Sequence, residues 1–117
     1  MDCSYEDTPD GVRVIRLAGR MDIEGNEQVA LRFTTLASTA GSAVVVDLTA
    51  LEFLSSLGIA TLVTAAKNLK LRQRVLALFG ARANVQGALD RTNIPTFIPT
   101  CTTFEEARGR ATAPIGG

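Results

Sequence analysis

The sequence predicts a single α/β domain. Its sheet should be mixed but mostly parallel, opened by an antiparallel hairpin, with helices packed over it. Three observations carry this expectation. Residues 43–48 and 75–79 are short, continuous apolar runs, each next to a stretch with helical spacing. Asp10-Gly11 is a hairpin-type turn signal between two strand-like segments near the start. The length of 117 residues suits one domain of roughly 100–150, and no repeat or long linker divides it. The expected order is β-β-α-β-α-β-α-β-α.

Residues 1–10 alternate weakly and contain Pro9, which suits an edge strand. Val12 to Leu17 read as the second strand, with Arg13 and Arg16 at its polar positions and Gly19 ending it. Residues 22–25 read as a loop or a helix entry, before a helix over 26–38. Val29, Leu31, Phe33, Leu36 and Ala37 supply that helix's apolar spacing. Residues 40–42, Ala-Gly-Ser, break the pattern. The run at 43–48 is apolar on successive residues, which predicts burial on both faces.

Residues 49–54 are expected to be a short connection, followed by a helix over 55–71. Lys67, Lys70 and Arg72 near its end suit the negative pole of the helix dipole. A strand over 75–79 closes at Gly80. A short helix over 84–89 follows, and a brief strand over 94–98 is limited by Pro95. Thr102 or Thr103 caps a last helix with Glu105 and Glu106 in its first turn and Arg108 and Arg110 in its last. The domain is expected over 1–112, with 113–117 a frayed C-terminal tail.

Composition narrows the chemistry. There is no histidine, so Ser-His-Asp or Cys-His catalysis, His-ligated metal and an imidazole switch have no means here. Twelve basic and twelve acidic residues balance, which argues against nucleic acid as a partner. No stretch reaches the roughly 18 apolar residues of a membrane span, because Lys67 interrupts the longest. The polar N-terminus is not a secretory signal, and Cys3 and Cys101 form no CxxC. The expected setting is a reducing cytoplasm without a disulfide, cofactor or metal. Binding, rather than catalysis, is the expected activity.

The informative stretch is 47–60. It joins a strand to a long helix through Ser55 and Ser56. A helix start carries unpaired N–H groups and partial positive charge, so it accepts a serine cap or stabilises a phosphate. The plainer reading makes Ser55 the N-cap and places Ser56 in the first turn. At about 100° per residue, Gly58, Leu62, Ala65, Ala66 and Leu69 share the core face. Leu57, Ala60, Thr61, Thr64 and Lys67 point outward, and Gly58 implies close backbone approach. Asp22 either caps the helix after it or joins a polar binding rim.

Other residues point less clearly to chemistry. Asp47 ends a strand as a receiver-type phosphoacceptor would, but the acidic pair and lysine of that chemistry are absent. Asp22, Glu24 and Glu27 read as a polar helix start rather than a metal cluster. Cys101 has no activating neighbour in sequence, and Gly80-Ala81-Arg82 is not a phosphate loop.

Over nearly its whole length the chain resembles the STAS domain of bacterial anti-sigma-factor antagonists. Gly19-Arg20-Met21-Asp22 fits that family's Gly-x-x-Asp, Asp47-Leu48-Thr49 its Asp-Leu-Ser/Thr, and Phe53-Leu54 its following aromatic-apolar pair. Ser55-Ser56-Leu57-Gly58-Ile59-Ala60 stands where the family often has Asp-Ser-Ser-Gly-Leu-Gly. The resemblance implies partner switching: the unphosphorylated domain binds a serine-kinase-type anti-sigma factor, and phosphate on a serine breaks the contact. It also implies a docking surface made of Asp22, Ser55, Ser56, Leu57, Gly58, Ala60, Thr61 and Thr64. Leu57, however, occupies the usual acceptor position and cannot take phosphate. Permanent binding, phosphorylation one residue earlier at Ser56 (Ser55 being the weaker candidate), and a STAS module that never used the switch are the three readings. STAS modules also accompany anion transporters and lipid-trafficking ABC systems, so an accessory subunit of such a system is the alternative. Oligomeric state is left open.

Overall fold

The sheet is organised around β2 (Arg13–Met21), which pairs with three other strands. The computed structural model describes residues 1–113. β1 (Asp2–Asp7) runs antiparallel to the first part of β2, from Asp2 opposite Ala18 to Asp7 opposite Arg13. β3 (Val44–Asp47) runs parallel to β2 from Arg13 to Arg16. β5 (Leu76–Phe79) and β6 (Thr100–Cys101) extend the parallel part, giving the order β1-β2-β3-β5-β6.

Four helices cover the sheet. They are α1 (Ile23–Ser38), α2 (Ser56–Leu71), α3 (Ala83–Arg91) and α4 (Phe104–Thr112). Val44 and Val46 point into the larger core, with Phe33 of α1, Leu62 of α2 and Leu89 of α3. Val45 points the other way, onto Ala107 and Ala111 of α4. Alternate residues of one strand thus serve opposite layers, as the unbroken apolar run predicts. No polar or charged residue is buried among the described residues.

Five expectations are corrected. Residues 49–54 are more than a connection: Leu51–Leu54 form β4, parallel to the far end of β2. That end is free because β3 pairs only as far as Arg16. The ladder shifts register between Gly19 and Arg20, where Gly19 has a φ of +105°, so Gly19 bends β2 rather than ending it. Residues 94–98 are not a strand. Ile94–Thr96 form a 3-10 turn, because Asn93 is left-handed and Pro95 fixes its own φ in the turn's first residues. The strand lies later, at Thr100–Cys101. α1 begins at Ile23, three residues early, because Asp22 is an effective cap. Leu31, counted on the apolar face of α1, is 81% exposed. Of the expected tail at 113–117, only Ala113 lies within the described residues.

The two cysteines are free. They sit on β1 and β6, the two outer strands of the sheet, about 19 Å apart at four strand spacings. A disulfide needs Cα atoms within about 7 Å, so the pair cannot bridge. Burial pushes both thiols above their ordinary pKa, which leaves them protonated and poorly nucleophilic.

Candidate functional site

β2 and β4 run parallel, and their last residues, Met21 and Leu54, are register partners. Two helices therefore start side by side from one end of the sheet. The Ser55 N–H donates to Met21 O at 3.0 Å and locks the two starts together. Each start is built alike. Asp22 Oδ1 accepts from the Gly25 N–H at 2.8 Å, and Ser55 Oγ accepts from the Gly58 N–H at 3.2 Å. Both are side-chain caps on the third helical N–H, the usual N-cap bond.

The two glycines permit close seating of the helices. A Cβ on Gly25 would fall 2.0 Å from Arg20 O, far inside van der Waals contact. A Cβ on Gly58 would fall 2.7 Å from Leu54 Cδ1 and 2.9 Å from Met21 Cγ. One turn further on, the Thr61 hydroxyl donates to Asn26 Oδ1 at 2.7 Å and ties α2 to α1. Leu57 lies one turn before Thr61 on the same face of α2, and Ile23 one turn before Asn26 on α1. Both apolar residues therefore lie in the first turns of their helices, at the end of the sheet from which α1 and α2 start. Leu57 is 46% exposed and Ile23 63%.

A polar rim borders this end. The Arg20 guanidinium stacks on the Phe53 ring at 4.7 Å, across the β2–β4 pair, and its Nε is 4.0 Å from Asp22 Oδ2. Behind it, Asp47 Oδ1 accepts from both the N–H (2.9 Å) and the hydroxyl (2.6 Å) of Thr49. The Asp-Leu-Thr stretch is thus a turn that aims the chain from β3 into β4.

The expected site residues are distributed as follows. Ser56, Leu57, Ala60 and Thr64 are exposed on α2. Gly58 is buried beneath them, with Ile59, Leu62, Ala65 and Leu69 on the core face. Ala66, expected on that face, is only half-buried. Ser55, Asp22 and Thr61 are engaged by the bonds above, so they shape the surface as well as border it. Among the described residues, no three carboxylates or thiolates converge on a point where an ion could sit. Ile23, Arg20 and Phe53 border this end as well: motif matching quotes Arg20 and Phe53 but gives them no role in a site, and Ile23 has no motif signal. Ile23 lies in the stretch 22–25 that sequence leaves between loop and helix entry, so no helical face could be assigned to it.

The comparisons agree with this architecture. The family model for the STAS domain matches residues 7–107. The chain is similar to an anti-sigma-factor antagonist (STAS) domain protein from Planctomyces limnophilus, with 27% identity and a TM-score of 0.82 over 97% of this chain and 100% of that one. It is similar in fold to an anti-sigma factor antagonist from Mycobacterium paratuberculosis, with 21% identity and a TM-score of 0.85 over 96% and 94% of the two chains. A third similar structure is the Bacillus cell fate determinant SpoIIAA in its phosphorylated form, with 20% identity and a TM-score of 0.68 over 93% and 98%. No curated protein sequence matches the chain at a significant level. Among the described residues, no helix is long and apolar enough to cross a membrane. With a family model spanning most of its length, the chain belongs to the STAS domain family.

Proposed function

We propose that this STAS domain is an anti-sigma-factor antagonist-type binding module. It docks a serine-kinase-type anti-sigma factor through the start of α2, and holds it without a phosphate switch. The observation that carries the reading is Leu57, an exposed apolar side chain at the position where the family takes phosphate. In this reading Leu57 supplies the apolar centre, with Ile23 at the adjoining start of α1 and Arg20, Asp22 and Ser56 as the polar groups of the same end of the sheet. The solved relatives described as anti-sigma-factor antagonists support the partner class. Any catalysis in this pairing belongs to the partner.

Ser56 is the remaining acceptor candidate, since it is exposed at the first helical position. Ser55 is a poorer one, because its oxygen holds the Gly58 N–H. The test uses a serine-kinase-type anti-sigma factor encoded beside this gene. Wild type and Leu57→Ser are incubated with it, with and without ATP. Retention and phosphopeptide mass spectra are then read. Wild type should stay bound in both conditions and carry no phosphate on Ser55 or Ser56. Leu57→Ser should take phosphate at residue 57 and be released by ATP, because a charge near −2 enters an apolar contact. Phosphate on wild-type Ser56 with release would move the switch one residue earlier and contradict permanent binding.

A further inference from the structure

A second surface lies on the later half of α2, separate from the start of the helix. Lys67 and Lys70 lie ten and thirteen residues after Leu57, about 15 to 20 Å along the axis. With Val63, Ala66 and Phe97 they line an open trough of about 310 Å³. Val63 and Ala66 are half-buried against the core and form its apolar floor. Phe97 is 54% exposed, yet its backbone is held firmly. Its N–H donates to Ile94 O at 3.1 Å, and Ile94 and Ile98 on either side are buried. An aromatic ring is thus presented to solvent from a fixed turn.

The charge at this trough has one sign. Lys67 and Lys70 are the only lysines in the chain. Among the described residues, every ion pair uses an arginine, and neither lysine is in one. The two ammonium groups are three residues apart on one helix, so they rim the trough at a spacing of about 5–6 Å between their Cβ atoms.

From this geometry we infer that the trough docks an acidic amphipathic segment of a protein partner. An apolar anchor of that segment lies on Val63, Ala66 and Phe97, and carboxylates at helical spacing meet Lys67 and Lys70. A membrane surface is a poorer match, because polybasic membrane sites gather about 4–8 cations and two are present here. The site does not depend on what binds at Leu57.

The probe is a synthetic peptide with Leu at helical spacing flanked by Glu, titrated into the isotope-labelled chain and followed by amide chemical shifts. A peptide with Lys in place of each Glu is the control. Shifts should gather at residues 63–70 and around Phe97 and leave 55–58 unmoved, and the control should not bind. Lys67→Glu/Lys70→Glu and, separately, Phe97→Ala should each weaken binding by about tenfold or more. All three side chains are exposed, so an unchanged spectrum of each free variant verifies its fold. Undiminished binding by the double lysine variant, equal binding of the control, or no shift at the trough would overturn the inference.

Discussion

Leu57→Asp should weaken binding of the kinase-type anti-sigma factor by about 2 kcal/mol or more, roughly thirty-fold in affinity. The carboxylate would have to be desolvated in the centre of an apolar contact. The free domain should tolerate the change well. Residue 57 is the second helical position after the Ser55 cap, its side chain is exposed, and a carboxylate there complements the helix dipole. The thermal midpoint should therefore be unchanged or slightly raised while binding falls. Calorimetric titration beside a melting curve separates the two. Equal loss of stability and binding would mean that Leu57 supports the fold instead of the contact.

Gly25→Ala should have the largest effect on stability. The added methyl would sit 2.0 Å from Arg20 O and 3.1 Å from its carbon, and both are backbone atoms of β2 that cannot swing aside. Either α1 moves off the sheet or β2 shifts, at a cost of about 3 kcal/mol, the upper end for overpacking. Gly109→Ala is the internal control. Gly109 lies in the exposed face of α4, and among the described residues no atom comes within 4 Å of its added Cβ. There the same substitution should stabilise by about 0.5–1 kcal/mol through helix propensity and reduced freedom of the unfolded chain. Urea midpoints of the two variants should move in opposite directions. Because the caps of α1 and α2 are joined through Met21 and Ser55, Gly25→Ala should also disturb the surface around Leu57.

These two residues show which parts of the molecule can be read in sequence. The central strands were legible because Val44-Val45-Val46 and Leu76-Ala77-Leu78 are apolar at every position, a pattern produced by burial on both faces. The outward direction of Leu57 was legible too, since a helical period needs only local spacing. β4 was not. Its four residues follow an Asp-Thr turn, and what makes them a strand is the unpaired far end of β2, some thirty residues earlier in the chain. Ile94 to Ile98 misled in the opposite way. Two buried isoleucines around Pro95 look like a strand, but a left-handed Asn93 winds them into a turn and leaves Phe97 outside.

The site was half legible for a related reason. Motif spacing picks out Ser55 to Ala60 and Asp22 as candidates, but their joining depends on contacts no local pattern contains. Gly25 is a poor helix former in isolation, so its place in the first turn of α1 follows only from the nearness of the Arg20 carbonyl. With its true start, α1 carries Ile23 in its first turn, at the same end of the sheet as Leu57. The proposed docking surface then offers two exposed apolar residues instead of one.

The central claim is that the joined starts of α1 and α2 form the partner surface. Amide hydrogen exchange of the domain, alone and bound to the kinase-type anti-sigma factor, tests it most directly. Protection gained on binding should centre on residues 22–26 and 55–61, with the outer face of α4 unchanged. Protection centred on α4 or β1, with 55–61 exchanging as in the free domain, would contradict it.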